Sequence, residues 1–106
     1  MNNMGYDIKI PTDISARDTL QDTMEFYNIT QSELAAKLGV SQSYISAILN
    51  RKKFMSSEFA LKIEKTTGLN AELLLKMDLY YQLNQLKAKN DLFDQLTPYQ
   101  WVEVAS

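Results

Sequence analysis

The sequence predicts an all-α fold: a five-helix domain that contains a helix-turn-helix, with a short N-terminal arm and a C-terminal tail. Apolar residues recur at intervals of three and four over most of the chain, which is the period of an amphipathic helix. Only three glycines and two prolines interrupt the 106 residues, so there is room for long helices. This length suits one compact domain. We assign residues 1–13 to the arm, 14–89 to the helical domain and 90–106 to the tail.

The first predicted helix follows the arm. Gly5 and Pro11 favour an extended segment before it, and Asp13 or Ser15 can supply its N-terminal cap. We expect this helix to run to about Asn28. Its predicted buried face consists of Leu20, Met24 and Tyr27.

The second and third helices occupy residues 31–50, where the spacing is most specific. Thr30 and Glu33 form a T-x-x-E capping box, which predicts that the second helix begins at the next residue. Gly39 follows that helix where the chain needs a positive φ, and Ser41 can cap the third helix. Two short helices joined by about three residues predict a helix-turn-helix, whose second helix enters the major groove of DNA. The residues expected to pack these helices are Leu34, Ala35, Leu38, Val40, Ile45, Ile48 and Leu49.

The fourth helix is predicted to begin after Ser56 or Ser57 and to end at Gly68, with Phe59, Ala60, Ile63 and Glu64 within it. Asn70 then caps a fifth helix, which runs from Ala71 to about Lys87.

The fifth helix is apolar on two faces. One stripe is Leu74, Met77 and Tyr81, and the other is Leu75, Leu79, Leu83 and Leu86. Since four short helices cannot cover both stripes, we predict that the second one forms a homodimer interface. The alternative is a central core helix that is buried all round.

Composition excludes several classes of function. The chain contains no cysteine and no histidine, so it has no disulfide, no thiol nucleophile, no thiolate metal site and no imidazole base, and it lacks the commonest zinc ligand. We therefore expect no enzyme activity, metal site, cofactor or small-molecule ligand. No apolar run approaches the ~18 residues that span a bilayer, and no signal peptide is visible. We expect no membrane association and a cytoplasmic location.

The net charge of −2 is unevenly distributed. Residues 31–65 carry six basic and three acidic groups, a net of +3, whereas residues 1–30 carry a net of −3 and residues 66–106 a net of −2. Positive charge therefore gathers on the predicted helix-turn-helix, as expected for a surface that binds phosphates. The acidic flanks should oppose nonspecific binding.

The outer side of the third helix predicts the contacts with bases. A glutamine amide such as that of Gln42 can pair with adenine through two hydrogen bonds, serine hydroxyls can bond to bases or phosphates, and an alanine methyl suits a thymine methyl. The predicted base-reading residues are Ser41, Gln42, Ser43, Ser46 and Ala47. The predicted phosphate contacts are Gln31, Tyr44, Asn50, Arg51, Lys52 and Lys53. The alternative is an ordinary helical hairpin with a polar outer face and a solvated basic loop.

Two segments carry a family resemblance. The stretch T-Q-S-E-L-A-A-K-L-G-V-S-Q-S-Y-I-S-A-I-L-N-R-K-K, residues 30–53, resembles the phage-repressor-like (Xre/Cro) helix-turn-helix family. That resemblance implies that Gln31 contacts phosphate, that Gln42 contacts a base, and that Ser43, Ser46 and Ala47 line the groove. The pattern S-x-x-x-A-L-K-I-E-K-x-T-G, residues 56–68, with the leucine-rich helix after it, is similar to HigA-type antitoxins.

The similarity to HigA-type antitoxins covers roughly Ile14 to Lys87. It implies a dimer that binds double-stranded operator DNA and represses its own operon. It also implies a protein partner, a HigB-type toxin that acts as an mRNA endonuclease. The chain departs from the family at two places: Leu73 and Leu74 stand where many members have a Phe-Trp pair, and Arg51 stands where a glycine is usual.

Three alternatives to a repressor that is also an antitoxin remain open: a stand-alone phage-type or host repressor, an interaction scaffold that does not bind DNA, and, as the least supported, an enzyme. The toxin-binding surface has two candidates. One is the acidic first helix with Asp18, Asp22 and Glu25, and the other is the tail with Phe93, Tyr99 and Trp101.

Overall fold

The computed structural model describes residues 10–89 and 93–98, and within them it contains five α-helices and no strand. The predicted all-α order is therefore confirmed. The helices are α1 (Ala16–Tyr27), α2 (Gln31–Leu38), α3 (Gln42–Leu49), α4 (Ser57–Thr67) and α5 (Ala71–Lys87). Most of the predicted arm and tail, including Tyr99 and Trp101, lies outside the described residues.

Side-chain caps fix where four of the helices begin. The predicted capping box at α2 is present, since the Thr30 hydroxyl accepts from the Glu33 N–H at 3.1 Å and the Glu33 carboxylate accepts from the Thr30 N–H at 2.8 Å. The caps of α3, α4 and α5 are Ser41, Ser56 and Asn70. Each accepts a hydrogen bond from the backbone N–H three residues later, at 2.7–3.1 Å.

The start of α1 differs from these four. Ser15 occupies the cap position, but its hydroxyl is buried and has no hydrogen-bond partner among the described residues. The carboxylate of Asp18 instead accepts from the Ser15 N–H at 2.9 Å. The cap is thus supplied from inside the helix.

Left-handed backbone ends three of the helices. Gly39 at the end of α2 has φ +69°, and Gly68 at the end of α4 has φ +83°, as predicted. Asn28 takes the same role after α1 with φ +53°, since asparagine tolerates this conformation better than most residues.

The core lies where α1, α2 and α3 meet the start of α4 and the inner face of α5. α2 packs on α3, α4 packs on α5, and α1 contacts both α3 and α5. Ala35 is buried between the helices of the predicted pair, where a larger side chain would separate them. The largest wholly buried apolar side chains are Leu20, Ile45, Ile48, Ile63 and Leu74.

Two core predictions were wrong. Tyr27 was expected on the buried face of α1, but it is 64 % exposed. The chain leaves the helix at Asn28, and Ile29 packs against the core in its place. Val40 was expected to be buried and is only partly so, because it lies in the turn before α3.

Candidate nucleic-acid interface

α3 has one buried side and one open side. Ile45, Ile48 and Leu49 are buried against the core. Gln42 and Ser43 are exposed on the other side, and Ser46 and Ala47 are partly exposed. The open side therefore presents short polar side chains and a methyl group, which allow a helix to approach base edges closely.

Seven predicted contact residues line one concave surface of about 550 Å³. We call it the α3 groove, and its residues are Gln31, Gln42, Ser43, Ser46, Ala47, Asn50 and Lys52. Gln31 comes from the start of α2, so the fold brings together residues that are 21 positions apart in the chain. The surface combines base-reading side chains with a cation and with the positive end of α2.

Hydrogen bonds orient two side chains of the α3 groove. The Asn50 amide donates to the carbonyl of Ser46 at 2.9 Å and to its hydroxyl at 3.1 Å. Because the Ser46 oxygen already accepts this bond, its own proton is left to donate to a ligand. These bonds use only the NH₂ group of the Asn50 side chain, so its side-chain oxygen can still accept. The Ser46–Asn50 pair therefore presents one donor and one acceptor.

The turn after α3 folds back on the helix end. The backbone N–H groups of Lys52 and Lys53 both donate to the carbonyl of Ala47, at 2.8 and 3.2 Å. This places Lys52 beside the α3 groove. The ammonium of Lys53 instead lies 5.7 Å from the centre of the Tyr44 ring, a cation–π distance.

Ser41 and Tyr44 lie on a neighbouring surface. They line a smaller depression of about 330 Å³ with Val40, Ser56, Glu58, Phe59 and Lys62. The Tyr44 ring packs edge-on against Phe59, with 5.0 Å between ring centres. Tyr44 and Lys53 thus form the flank of the α3 groove and not its floor.

Arg51 is not brought together with the other predicted phosphate contacts. Its guanidinium is 2.7 Å from the carboxylate of Asp18 and 5.1 Å from the centre of the Tyr81 ring. Its backbone has φ +57°, the conformation that favours the glycine usual at this position. Arg51 therefore ties the turn after α3 to α1 and α5.

Two further residues, which were not among the predicted site residues, connect the helices around α3, the recognition helix of the predicted helix-turn-helix. The Arg17 side chain donates to the carbonyl of Leu49 at 2.7 Å, which satisfies a free carbonyl at the end of α3. Asp78, 4 % exposed, accepts from the N–H of Ala16 and from the N–H of Met55, each at 2.8 Å. It joins α5 to the start of α1 and to the loop before α4. The only sign of this role in the sequence is that Asp78, an acidic residue, lies next to Met77 in the apolar stripe of α5.

The pKa values of Asp78, which is buried, and Asp18, which is partly buried, are shifted in opposite directions. Burial raises the pKa of Asp78 above its ordinary value, although the N–H groups of Met55 and Ala16 and the charge of Arg51 oppose this. Burial also acts to raise the pKa of Asp18. The Ser15 N–H, Arg51 and Arg17 outweigh it, so the pKa of Asp18 lies below the ordinary value.

The predicted dimer stripe of α5 is mostly open. Leu79, Leu83 and Leu86 are 42–49 % exposed. Leu75 is partly buried against the core, so it can contribute only part of its surface to a partner. The opposite stripe, with Leu74 and Met77, is buried as predicted.

Within residues 10–89 and 93–98, no group of three or more Asp and Glu side chains is arranged to hold a metal ion. The helices described there are all too short or too polar to cross a membrane.

Residues 27–74 match the HTH_3 family model, described as helix-turn-helix. The predicted helix-turn-helix is therefore confirmed. No curated protein sequence matches the chain.

Solved structures share the fold of the whole helical domain. An addiction module antidote protein of a HigA family from Coxiella burnetii is 24 % identical, with a TM-score of 0.71 over 84 % of this chain and 100 % of that one. The Pseudomonas aeruginosa antitoxin HigA with the higBA promoter is 19 % identical, with a TM-score of 0.72 over 83 % of this chain and 97 % of that one. The Pseudomonas aeruginosa protein PA4674 in complex with its operator DNA is 20 % identical, with a TM-score of 0.72 over 82 % of this chain and 99 % of that one. These similarities establish the fold.

Proposed function

We propose that this helix-turn-helix protein is the antitoxin of a HigB/HigA-type toxin–antitoxin system, which represses its own operon by sequence-specific binding to DNA. It acts as a cytoplasmic homodimer on double-stranded operator DNA and neutralises a toxin that cleaves mRNA. The observation that carries the DNA-binding part is the α3 groove, in which Gln31, Gln42 and Lys52 meet on one open surface.

In this proposal α3 lies in the major groove. The amide of Gln42, at the start of the helix, pairs with a base, and Ser43, Ser46 and Ala47 follow it along the groove floor. Gln31 and Lys52 lie at the edges, where they contact the sugar-phosphate backbone together with Asn50, Lys53 and Tyr44. Arg51 is left out of this set because Asp18 holds its guanidinium.

The open leucine stripe of α5 supports the dimer. A two-fold operator presents its half-sites about one helical turn apart, roughly 34 Å, and a symmetric dimer places one recognition helix in each. An interface between two copies also covers Leu79, Leu83 and Leu86, whose exposure is otherwise costly.

The toxin-binding part of the proposal is supported by the solved structures that share the fold, two of which are described as an antidote protein and as an antitoxin. The acidic charge of residues 1–30 also suits a basic protein partner.

DNA binding is tested with a duplex taken from upstream of this chain's own gene and a scrambled duplex of equal length. Replacing Gln42 by alanine should weaken binding to the specific duplex by about 1–3 kcal/mol and leave the scrambled duplex unaffected. Gln21→Ala on α1, which lies outside the α3 groove, is the matched control. Equal losses on both duplexes would show that Gln42 does not read bases, and no preference for the promoter would favour the scaffold alternative.

The antitoxin role is tested by co-expression with the protein encoded next to this gene. We expect that protein alone to arrest growth and degrade mRNA, and co-expression to restore growth with both proteins in one purified complex. Promoter binding without rescue or co-purification would favour a stand-alone repressor.

A further inference from the structure

α1 departs from the charge pattern of α2, α4 and α5, as does α3, which has neither an acid in its first turn nor a base in its last turn. α2, α4 and α5 each carry a carboxylate in the first turn and a lysine in the last turn, the arrangement that complements the helix dipole. α1 has no basic residue in its last turn, and Glu25 lies there instead. A carboxylate at the negative end of a helix opposes the dipole and lowers stability.

The carboxylates in the second half of α1 have no cationic partner among the described residues, although Glu25 accepts a hydrogen bond from the neutral amide of Gln21 at 2.8 Å. Asp18, in the first turn, contacts both Arg17 and Arg51. Asp22 and Glu25 form no ion pair within the part of the chain that the structure describes. The end of α1 therefore has a local excess of negative charge that nothing in the described fold balances.

Two exposed aromatic rings lie beside these acids. Phe26 is 81 % exposed and Tyr27 is 64 % exposed. Their rings meet edge-to-face with 5.0 Å between centres, so they form one continuous apolar patch. Exposed aromatic pairs of this kind are typical of protein interfaces, where tyrosine supplies much of the binding energy.

Grooves open on two sides of Tyr27. One, of about 450 Å³, lies between α1, α2 and the end of α4 and has Glu33 and Ile29 in its wall. The other, of about 410 Å³, has Asp22 and Phe26 in its wall. Each groove thus combines an apolar surface with a carboxylate, but in the first groove Lys37 also lines the wall with Glu33, so the uncompensated negative charge lies on the Asp22 side. A partner can insert a side chain on either side of the Tyr27 ring.

This surface faces away from the α3 groove. On α2, Glu33 and Lys37 line the groove beside Tyr27, whereas Gln31 lines the α3 groove. At 100° per residue, Glu33 lies about 200° and Lys37 about 240° around the helix from Gln31. DNA and a protein can therefore occupy the two surfaces at the same time.

We infer that Asp22, Glu25, Phe26, Tyr27 and Glu33, which we call the α1 end face, form the docking surface for the toxin of the proposed function. The occupant is a basic protein: its cations face Asp22 and Glu25 and relieve the unfavourable end of the helix dipole, while its apolar side chains cover the two rings. The acid at the end of α1 lowers the stability of the free protein, but its charge complements that of this partner. The inference rests on the proposed function, since it names where that function's partner binds.

The test uses the purified protein encoded next to this gene as the probe, with binding measured by titration calorimetry and by surface plasmon resonance. Tyr27→Ala and Phe26→Ala should each weaken binding by at least about 10-fold, as expected for interface aromatics that cost more than ~1.4 kcal/mol to truncate. Leu61→Ala is the matched control, since Leu61 on α4 is 58 % exposed and lies outside both grooves. It should bind within about twofold of the unmodified chain.

The acids are tested separately. The double variant Asp22→Asn and Glu25→Gln should slow association with the probe and flatten its dependence on salt. The same variant should raise the Tm of the free protein by a few degrees, because it removes charge that opposes the helix dipole. Promoter binding by every variant should match that of the unmodified chain, which shows that each one is folded.

The outcomes separate the two proposals. If the unmodified chain does not bind the probe, the toxin part of the proposed function fails. If it binds and the two aromatic variants bind equally well, the proposed function stands and the α1 end face is overturned as its site. A change in the sedimentation of the free Tyr27→Ala variant would assign the face to contacts between copies of this chain and would also overturn the inference.

Discussion

Replacing Asp78 by asparagine should destabilise the fold by about 1–3 kcal/mol, although the two side chains have nearly the same shape. The two carboxylate oxygens of Asp78 each accept one backbone N–H, from Ala16 and from Met55, both at 2.8 Å. An asparagine has only one oxygen, so its amide NH₂ must face one of the two donors. One buried N–H then loses its partner, which costs about 1–3 kcal/mol.

The burial of both donors makes this cost unavoidable. Ala16 is fully buried and Met55 is 6 % exposed, so water cannot easily replace the lost acceptor. For a domain of about 100 residues, 1 kcal/mol corresponds to roughly 4–8 °C in Tm. We therefore expect the Tm of Asp78→Asn to fall by about 4–24 °C.

Thermal and urea unfolding monitored by circular dichroism measure this loss. The matched control is Glu72→Gln, which makes the same chemical change in the first turn of α5, where the side chain is 76 % exposed and forms an ion pair with Lys76. The control should change stability by less than about 0.5 kcal/mol. An Asp78→Asn protein as stable as the control would refute the assignment of Asp78 as a buried acceptor for two helical segments.

The size of the loss should also depend on pH. Burial raises the pKa of Asp78 in the folded protein, so the folded state binds a proton more tightly than the unfolded chain. The contribution of this group to stability is then fully present below the unfolded pKa and is lost as pH rises through the folded pKa. Because asparagine does not titrate, the difference in stability between the unmodified protein and Asp78→Asn is largest in acid, where the protonated carboxyl group still presents an oxygen to each N–H, and it should shrink as the pH rises through the folded pKa. A difference that widens as the pH rises would show that the pKa is lowered.

Three further predictions concern the DNA and dimer surfaces and α1. Lys52→Ala should reduce the slope of log K against log salt for promoter binding by about 0.9. Arg51→Gly should leave that slope unchanged, because the native Arg51 side chain contacts Asp18. The opposite pattern would assign the phosphate contact to Arg51. Leu83→Asp should give a monomer by analytical ultracentrifugation and weaken binding to a two-half-site duplex far more than to a single half-site, and a dimer that persists would place the interface elsewhere. Asp18→Asn should cost about 0.5–1 kcal/mol at pH 7 because it loses a partly exposed ion pair and a carboxylate at a helix start. Since the pKa of Asp18 is lowered in the folded protein, this difference is present above the unfolded pKa and should vanish as pH falls through the folded pKa; a constant difference in acid would contradict it.

The elements that the sequence predicted correctly are those determined by neighbouring residues. The capping box of Thr30 and Glu33 involves groups three residues apart, and the left-handed turn at Gly39 involves one residue and its immediate neighbours. Helical periodicity likewise identified the buried side of α3 and therefore its open side. The membership of the α3 groove follows from these local facts, because the short turn at Gly39 leaves little freedom in how α2 and α3 pack.

The predictions that failed depend on contacts between residues that are far apart in the chain. The sequence pattern does not encode such contacts. Tyr27 has the right spacing for the core, but the chain turns at Asn28 and no segment within residues 10–89 and 93–98 covers the ring. Its exposure depends on where α4 ends relative to α1, which periodicity does not encode.

Arg51 illustrates the same limit with a functional consequence. In the sequence it is the first of three consecutive basic residues, and adjacency alone gives all three the same role. In the fold its carboxylate partner, Asp18, is 33 residues away, and Tyr81, whose ring lies 5.1 Å from the guanidinium, is 30 residues further along the chain. The backbone at Arg51 is left-handed, a conformation in which a glycine would carry no Cβ strain. The chain nevertheless has an arginine here, and its side chain reaches both α1 and α5. Arg51 carries backbone strain and contacts two other helices, which is better explained by a role in positioning the recognition helix than by a contact with a DNA phosphate. The salt dependence of promoter binding by Arg51→Gly distinguishes these two roles.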